Sequence, residues 1–417
     1  MLTGCAKTQQ KGVPNLSEYG DQIFFDSHFD LGSRDSDNQF GPSGTLVIWT
    51  PVYQGLDKFI QDKIDSTIAN LVSRFESQYS STNVIWEKYS NLIIYKKYSQ
   101  EVAKGLGPDI ILAHNFMIPQ LGARKDIKKI RSDFSGLEYM RKNLLRSLKI
   151  NTNLYAIPFI IDVQLLCFDK RRVKAAPRTL EELVELSKSG VSVAIGGTFL
   201  DTIWGLTDLK NISLNSKLIS ETSFEDSLIR WIKSLKNMNL EPNLELFKDS
   251  AVMNKYFAKG KINVMNCASI NLPLLRKEIG KENLGIAPLP SINGKAATPR
   301  LTGASFALNP FMSKNQKKLA YHFTAFAVSK DQQQQIAVSW DSVLPVNTTI
   351  DFNVPLLPIL SVLEDSLENS FVLTSHEFQV LVENINTIQN LFEDATSGFM
   401  NPVTASQEII KQLSRKQ

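Results

Sequence analysis

Short apolar segments alternate with amphipathic helical segments from Gly44 onward, and this alternation constrains the fold more than any other feature of the sequence. Residues 45–50 form a nearly continuous apolar run, which is typical of a strand covered on both faces. In residues 57–79, isoleucines recur every fourth residue and mark one face of a helix. Further strands are predicted at 84–86 and 109–113. This order predicts an α/β fold with a mostly parallel sheet and right-handed crossovers.

A second series of strands and helices follows. We predict strands at 154–159 and 163–168, joined at residues 160–162, and then a helix that opens at Pro177 with a capping-box sequence at 179–182. Later segments continue the alternation as far as a helical carboxyl terminus. Two such series predict two lobes, although periodicity alone does not indicate which of the later strands return to the first lobe.

Composition and motifs argue against several classes of function. The chain carries 46 Lys and Arg against 42 Asp and Glu, a net charge of +4 without a basic block, which disfavours a nucleic-acid partner. Three cysteines and four histidines provide neither a repeated CxxC pair nor HExxH, so we expect no metal centre and no cofactor. The phosphate-binding, dinucleotide-binding and nucleophile motifs GxxxxGK[ST], GxGxxG and GxSxG are missing. These absences favour a binding protein over an enzyme.

The amino terminus resembles the lipid-attachment signal of bacterial lipoproteins. Leu2-Thr3-Gly4-Cys5 matches a lipobox, in which small residues precede a cysteine that becomes lipid-modified. A charged and then apolar signal region does not precede it, so a start upstream of Met1 and a chance match both stay open. Residues 6–43 are polar and aperiodic, which predicts a flexible tether. We therefore expect an extracytoplasmic body held on the membrane through Cys5, without a membrane-spanning segment.

Seven motifs, in this order and spacing, resemble those of one protein family over most of residues 44–417. They are Gly107–Asn115, Leu154–Pro158 with Asp162 and Leu166–Lys170, Pro177–Glu182, Phe257–Met265, Gly285–Pro290, Gly303–Ser305 and Trp340–Pro345. Together they resemble the extracellular solute-binding proteins of ABC importers, in the maltose-binding-like family 1 group. One departure is Cys167-Phe168, which stands where the family usually has Tyr-Asn.

The resemblance implies an α/β, two-lobe periplasmic-binding-protein fold of type II, the Venus-flytrap arrangement. It implies a first lobe of about 44–157 plus 300–345 and a second of about 158–299 plus 346–417, with three crossings near 157–162, 288–298 and 344–347. It also implies a monomer that closes on a small ligand between its lobes and delivers that ligand to a membrane permease.

Candidate ligand contacts lie just past the strand ends, where open α/β sheets bind their ligands. They are Tyr53, Gln54, His114, Asn115, Asp162, Trp204, Asn266, Ser269, Trp340 and Asp341. Rings can pack on the apolar face of a sugar, and Asp, Asn and Gln can pair with its hydroxyl rim. The set therefore favours a sugar or related polyol, with Tyr53, Trp204 and Trp340 as stacking faces.

Several alternatives stay open at this stage. Trp204 and Trp340 are as well suited to a core as to a cleft, His114 could be structural, and Asp162 could accept hydrogen bonds at a hinge. A disulfide between Cys167 and Cys267 is possible, but two buried free thiols are favoured. Other possible ligands are a polyamine or ferric iron. An anchored glycosidase would have to use Asp162 and Asp341 as its carboxylate pair.

Overall fold

The computed structural model describes residues 41–207, 222–340, 342–350, 358–373 and 375–414. The strands are β1 (Gly44–Val52), β2 (Thr82–Ser90), β3 (Ile110–His114), β4 (Lys149–Ile150), β5 (Asn153–Leu154), β6 (Ile157–Asp169), β7 (Val193–Gly196), β8 (Leu244–Phe247), β9 (Val264–Ala268), β10 (Leu284–Ala287) and β11 (Leu301–Leu308). The helices are α1 (Lys58–Gln78), α2 (Ile94–Val102), α3 (Ile118–Ala123), α4 (Lys142–Ser147), α5 (Leu180–Lys188), α6 (Phe199–Thr202), α7 (Thr222–Met238), α8 (Ser250–Ala258), α9 (Leu272–Ile279), α10 (Lys314–Ala327), α11 (Lys330–Trp340), α12 (Pro358–Glu368), α13 (Ser375–Thr396) and α14 (Pro402–Leu413).

The predicted helix starts agree with the capping chemistry of the structure. The Asp57 carboxylate accepts the backbone N–H of Phe59 at the start of α1, the helix predicted at 57–79. The Thr179 hydroxyl accepts the N–H of Glu182, so α5 opens where the capping-box sequence predicts it. Within the described ranges, no helix is both long enough and apolar enough to cross a bilayer.

One nine-stranded sheet runs through the molecule in the order β2-β1-β3-β11-β6-β9-β7-β8, with β10 also paired to β6. Strand β1 is parallel to β2 and β3, and β7 is parallel to β8 and β9. Strand β11 is antiparallel to both β3 and β6. We call β2, β1, β3 and β11 the first half of the sheet and β9, β7, β8 and β10 the second half. Strand β6 joins the two.

Strand β6 is continuous over 13 residues, so the prediction of two strands joined at 160–162 is wrong. Residues 157–163 pair with β11, and residues 164–168 pair with β9. The backbone of Asp162 pairs with that of Thr302 in this ladder. The strand therefore continues through this position, although the side chain is polar. Consequently β6 changes partners along its length and connects the two halves of the sheet.

The buried apolar side chains form two hydrophobic cores, each of which includes residues of the sheet. The first is built mainly from residues 46–165 and 301–346, and the second mainly from residues 166–244 and 381–413. Helices α8, α9 and α12 contribute to the first core, although the predicted boundaries place them in the second lobe. The boundaries 44–157 plus 300–345 and 158–299 plus 346–417 therefore stay a prediction.

A disulfide joins Cys167 on β6 to Cys267 on β9, with an S–S distance of 2.02 Å and a Cα–Cα distance of 5.9 Å. The expectation of two free thiols is thus wrong. Cys167 pairs with Met265, and Leu165 pairs with Cys267. Because directly opposed residues and residues two apart share a face of a sheet, this register places both sulfurs on the same face.

Candidate functional site

Three strand ends of the first half of the sheet meet at one edge. Strands β1 and β3 are parallel, so their carboxyl ends lie together and deliver Tyr53 and His114. Strand β11 runs the opposite way and pairs Ala304 with His114, which places residues 300–303 at this same edge. The edge therefore collects side chains from β1, β3 and the start of β11, beside the strand that leads to the second half.

Three aromatic rings form a continuous wall here. The ring centroids of Tyr53 and His114 lie 4.7 Å apart, and His114 stacks on Phe116 at 4.7 Å with an interplanar angle of 17°. The Tyr95 hydroxyl accepts the backbone N–H of His114 at 3.2 Å and fixes the end of β3. Phe116 is 37% exposed, so part of its ring is accessible to a ligand.

His114 is held in its neutral form. The pKa of His114 is lowered from 6.5 to about 4, mainly by burial; a contact with the Gly303 carbonyl opposes this shift, and the nearby cation of Arg300 contributes to it. The Nδ1 atom lies 3.4 Å from that carbonyl oxygen, a distance at which a protonated Nδ1 can donate. At neutral pH the wall is therefore uncharged along its length. Burial, reinforced by Tyr95, likewise raises the pKa of Tyr53 well above its usual value.

Asp162 on β6 accepts hydrogen bonds from β11 and from the turn at residues 269–270. Its Oδ1 atom accepts the Ser269 hydroxyl at 2.9 Å and the Ile270 backbone N–H at 3.0 Å, and its Oδ2 atom accepts the Thr302 hydroxyl at 3.2 Å. Burial raises the pKa of Asp162 despite these donors and the nearby Arg300 cation, all of which lower it. Because protein donors occupy both oxygens, Asp162 has the geometry of the hinge acceptor that the sequence left open.

Arg300 extends from the start of β11 toward the second half of the sheet. Its backbone N–H donates to Gln164 Oε1 at 2.9 Å, and its Nη2 atom lies 3.4 Å from Asp201 Oδ1 on α6. Asp201 also accepts the Thr198 hydroxyl at 2.7 Å. The Nε atom of Arg300 is buried and has no partner among the described residues. A guanidinium thus lies between the two halves, and its Nε–H group has no partner among the described residues.

Asn115 supplies a second unused donor. Its Oδ1 atom accepts the Ser305 hydroxyl at 2.6 Å, whereas its buried Nδ2 group has no partner in the part of the chain that the structure describes. An unpaired buried donor costs about 1–3 kcal/mol, so such groups normally have a partner. Asn115 and Arg300 therefore each have a buried donor at this edge that lacks a partner among the described residues.

The other predicted site residues lie at the rim or hold the scaffold together. Gln54 is exposed, and its backbone N–H donates to Asn91 at 3.0 Å. Asn266 is buried and accepts the Gly196 N–H at 2.7 Å, which ties β9 to β7. Ser269 is 1% exposed and serves Asp162. Asp341 and Cys5 lie outside the described residues.

Trp204 and Trp340 do not form stacking faces, and that prediction is wrong. Trp204 is 1% exposed and packs against Trp231, with ring centroids 5.0 Å apart. Trp340 is 2% exposed, and its Nε1 atom donates to the Thr67 hydroxyl at 2.8 Å. Both rings are part of hydrophobic cores. An aromatic residue that follows a strand can face either inward or outward, and these two face inward.

Sequence reasoning missed Arg300, Asp201, Thr302 and Tyr95. Candidate contacts were expected at the carboxyl ends of strands, but β11 is antiparallel and delivers Arg300 and Thr302 from its amino end. The short helix start Thr198–Asp201, with its side-chain cap, was the one available signal for Asp201. No sequence signal placed Tyr95, which reaches the site from α2.

The chain resembles known proteins in both sequence and structure. Residues 70–353, more than half of the chain, match the family described as bacterial extracellular solute-binding protein. No curated protein matches the sequence. The GacH receptor of Streptomyces glaucescens GLA.O, solved unliganded and in complex with acarbose and an acarbose homolog, is similar at a TM-score of 0.73 and 16% identity. That match covers 89% of this chain and 97% of the receptor.

Two further solved structures have the same fold. An ABC transporter solute-binding protein from Thermotoga lettingae TMO, bound with alpha-D-tagatose, has a TM-score of 0.70 and 16% identity over 89% of this chain and 99% of its own. A cyclo/maltodextrin-binding protein complexed with maltotetraose has a TM-score of 0.73 and 18% identity over 90% and 98%. These matches confirm the two-lobe α/β fold class. With the sequence match over residues 70–353, they lead to one conclusion: this chain belongs to the bacterial extracellular solute-binding protein family.

Proposed function

We propose that this protein is the substrate-binding component of an ABC importer and captures a sugar or related polyol between its two lobes. The observation that carries the proposal is the aromatic wall of Tyr53, His114 and Phe116 beside the unused donors of Asn115 and Arg300. The three similar solved structures were determined in complex with acarbose, alpha-D-tagatose and maltotetraose, respectively. The ligand would then pass unaltered to the permease.

The chemistry of a pyranose suits this arrangement. Its apolar C–H face can pack on the exposed part of Phe116, and its hydroxyl oxygens would accept from Asn115 Nδ2 and Arg300 Nε in a conformation that uncovers these buried atoms. A hydroxyl also donates, and the Asp201 carboxylate, 3.4 Å from Arg300, provides an acceptor beside that cation. An analogue that lacks the matching hydroxyl would leave these buried groups unpaired and bind less well.

Closure of the two lobes on the ligand is part of the proposal. The first lobe would comprise 44–157 plus 300–345 and the second 158–299 plus 346–417, with three crossings between them. A ligand shifts an open–closed equilibrium only through contacts that are better in the closed form. A hydroxyl held jointly by Arg300 and Asp201 would provide such a contact, since the two side chains come from different halves of the sheet.

A thermal-shift screen of monosaccharides, oligosaccharides and polyols tests the ligand class. A ligand that binds only the folded protein raises its Tm by mass action. For any hit, we expect Phe116→Ala and Asn115→Ala to weaken binding by about tenfold or more, or about 1.4 kcal/mol each. Phe399→Ala is the matched control, because Phe399 is 88% exposed and follows α13. A panel without hits, or hits equally bound by all three variants, would refute the sugar proposal.

We also propose that the protein performs no catalysis on its ligand. Asp162, one of the two carboxylates that a glycosidase mechanism would need, already accepts three protein hydrogen bonds. The test is an assay of purified protein with chromogenic glycosides. Turnover that Asp162→Asn abolishes would establish an enzyme instead.

Attachment to the membrane through a lipid on Cys5, and function as a monomer, complete the proposal. The support for anchoring is the Leu2–Cys5 sequence and the polar segment that follows it. Expression in bacteria fed an alkyne-bearing fatty acid tests it directly. Label incorporation into the unaltered chain and its loss in Cys5→Ser are expected, whereas equal labelling of both would place the lipid elsewhere.

A further inference from the structure

A basic surface with two protruding apolar side chains lies at the edge of the sheet opposite the candidate site. Strand β11 ends here at Leu308, and β3 begins here at Ile110, its partner in the ladder. We define the distal patch as Leu106, Phe311, Lys128, Lys129, Arg131 and Lys317. Leu106 is 58% exposed and Phe311 62% exposed, so both apolar side chains project into solvent beside these cations.

Hydrogen bonds hold the members of the distal patch together. The Asn309 side chain donates to the carbonyl oxygens of Leu106 and Pro108 at 3.0 and 2.9 Å, which joins the loop before β3 to the loop that carries Phe311. The Lys128 N–H donates to the carbonyl of Leu308 at 2.7 Å. The loops that carry the two apolar side chains and the basic segment are therefore joined where β11 ends.

The cations of the patch are close enough to affect one another. The Arg131 N–H donates to the Tyr321 hydroxyl on α10 at 3.2 Å, which brings residues 128–133 against the helix that carries Lys317. Besides burial, the positive charges of Lys128 and Arg131 lower the pKa of Lys317. Asp133 pairs with Arg131. The segment 128–133 also borders a shallow, open depression of the surface, where a charged headgroup could contact its side chains.

The chain enters the folded body at this same edge. Gly44 begins β1 four residues before Ile48, which pairs with Ile110 at the start of β3. A Cβ atom on Gly44 would lie 3.8 Å from the side chain of Leu319 on α10, two residues after Lys317. The segment that contains Cys5 thus joins the body beside the distal patch.

We propose that the distal patch is a docking surface for a bilayer that contains anionic lipids. Its lysines complement acidic headgroups, and Leu106 and Phe311 are positioned to enter the interfacial region below them. Basic residues attract an anionic membrane within a Debye length, and apolar side chains add a contribution that salt does not screen. Docking would hold the body against the membrane at the end where its amino-terminal segment emerges.

Vesicle co-sedimentation of the full chain tests this surface. We use Cys5→Ser protein, so that no acyl chain contributes, with vesicles of phosphatidylcholine alone or of equimolar phosphatidylcholine and phosphatidylglycerol. The anionic vesicles should bind at least tenfold more protein, and high salt should reduce the difference. The variants Lys128→Glu, Lys129→Glu and Lys317→Glu, combined in one protein, should abolish the preference. Phe311→Ser should weaken binding at least threefold, including at high salt.

Matched controls separate a specific surface from net charge. Lys233, Lys255 and Lys259 are exposed on or next to α7 and α8, and reversing all three to Glu changes the net charge equally. Phe399→Ser, at a side chain that is 88% exposed elsewhere, matches Phe311→Ser. The control variants should bind like the parent protein. Equal binding to both kinds of vesicle, or equal losses in patch and control variants, would overturn the proposal.

Discussion

The Nη2 atom of Arg300 lies 3.4 Å from the Oδ1 atom of Asp201, and this contact connects the start of β11 to helix α6 across the candidate site. The distance is long for a charge-assisted hydrogen bond, and the buried Nε atom of the same guanidinium has no partner among the described residues. The pair therefore leaves donor and acceptor capacity available between the two halves of the sheet. In the proposed function, a small polar ligand that uses both groups stabilises the closed form.

Replacing Arg300 tests this arrangement. Arg300→Ala should lower the affinity for the proposed sugar ligand by about tenfold or more, about 1.4 kcal/mol, because it removes a buried donor. Arg300→Lys should not restore affinity, since an ammonium lacks the Nε–H of the planar fork. The hydrogen bond from the backbone N–H of residue 300 to Gln164 is retained in both variants, so the fold should persist. Isothermal titration provides the measurement. Arg74→Ala, at an exposed arginine of α1, is the control.

The contradicting outcome for Arg300 is specific. If a folded Arg300→Ala protein bound the ligand as tightly as Arg74→Ala does, the guanidinium would lie outside the binding site. Its proximity to His114 and Asp162, which affects the pKa of both, would then be a purely structural feature.

His114 should make stability depend on pH in the acidic range. Its pKa is lowered from 6.5 to about 4 in the folded protein, so folding favours the neutral ring. The resulting stabilisation is fully present above pH 6.5 and is lost as the pH falls through 4. Its loss amounts to about 3.5 kcal/mol at most, given about 1.4 kcal/mol per pKa unit. Urea unfolding of the parent protein and His114→Gln between neutral and acidic pH measures this as a difference in slope.

The titration of Asp162 does not affect the comparison between the parent protein and His114→Gln. Burial raises its pKa, so its own contribution changes with the opposite sign: it is present at low pH and is lost as the pH rises through the folded-state pKa. Because Asp162 is present in both proteins, subtraction isolates His114. Parallel curves for the two proteins would show that His114 is not buried as described.

Much of the fold could be predicted from the sequence, because strand and helix periods are local properties. The isoleucine repeat placed α1 within a residue of its observed bounds, and Thr179 marked the start of α5. Tyr53, His114 and Asp162 were selected by their positions on or after strands, and the structure brings the first two into contact and places Arg300 near His114 and Asp162. Their part in ligand binding stays a prediction.

The features that could not be predicted from the sequence depend on strand direction, on strand register and on the face toward which a side chain points. Arg300 reaches the site only because β11 is antiparallel to its neighbours. Cys167 and Cys267 form a disulfide only because the register of β6 with β9 puts their side chains on the same face. Trp204 was assigned to the cleft by its position after a strand, whereas packing against Trp231 turns it inward. None of these relationships is encoded in a local pattern.

Replacing Gly303, in the ladder between β11 and β6, should strongly destabilise the protein. It has a φ of +156°, and a Cβ atom there would lie 2.0 Å from the carbonyl oxygen of Ile160 on β6. Gly303→Ala must therefore separate β11 from β6 next to Asp162, at a cost of about 3 kcal/mol or more in the free energy of unfolding. Gly294→Ala, at a φ of +74° with no atom within 4 Å, is the control and should cost about 1 kcal/mol. Equal urea midpoints for the two variants would contradict the close approach.

The disulfide between Cys167 and Cys267 should contribute substantially to stability. It closes a loop with a sequence separation of 100 residues, and a cross-link of that kind typically adds about 2–4 kcal/mol by restricting the unfolded chain. The double variant Cys167→Ala/Cys267→Ala should unfold at lower urea concentration. Dithiothreitol should shift the parent protein toward this variant and leave the variant itself unchanged.

Thiol titration gives an independent measurement of the same bond. The chain has three cysteines, so denatured, unreduced protein with an unmodified Cys5 should expose one reactive thiol, and reduction should expose three. Cys5→Ser should lower the first count to zero and leave the urea midpoint unchanged, which separates the tether cysteine from the pair within the sheet. Three reactive thiols before reduction would show that β6 and β9 are joined by main-chain hydrogen bonds alone, and dithiothreitol should then have no effect on stability.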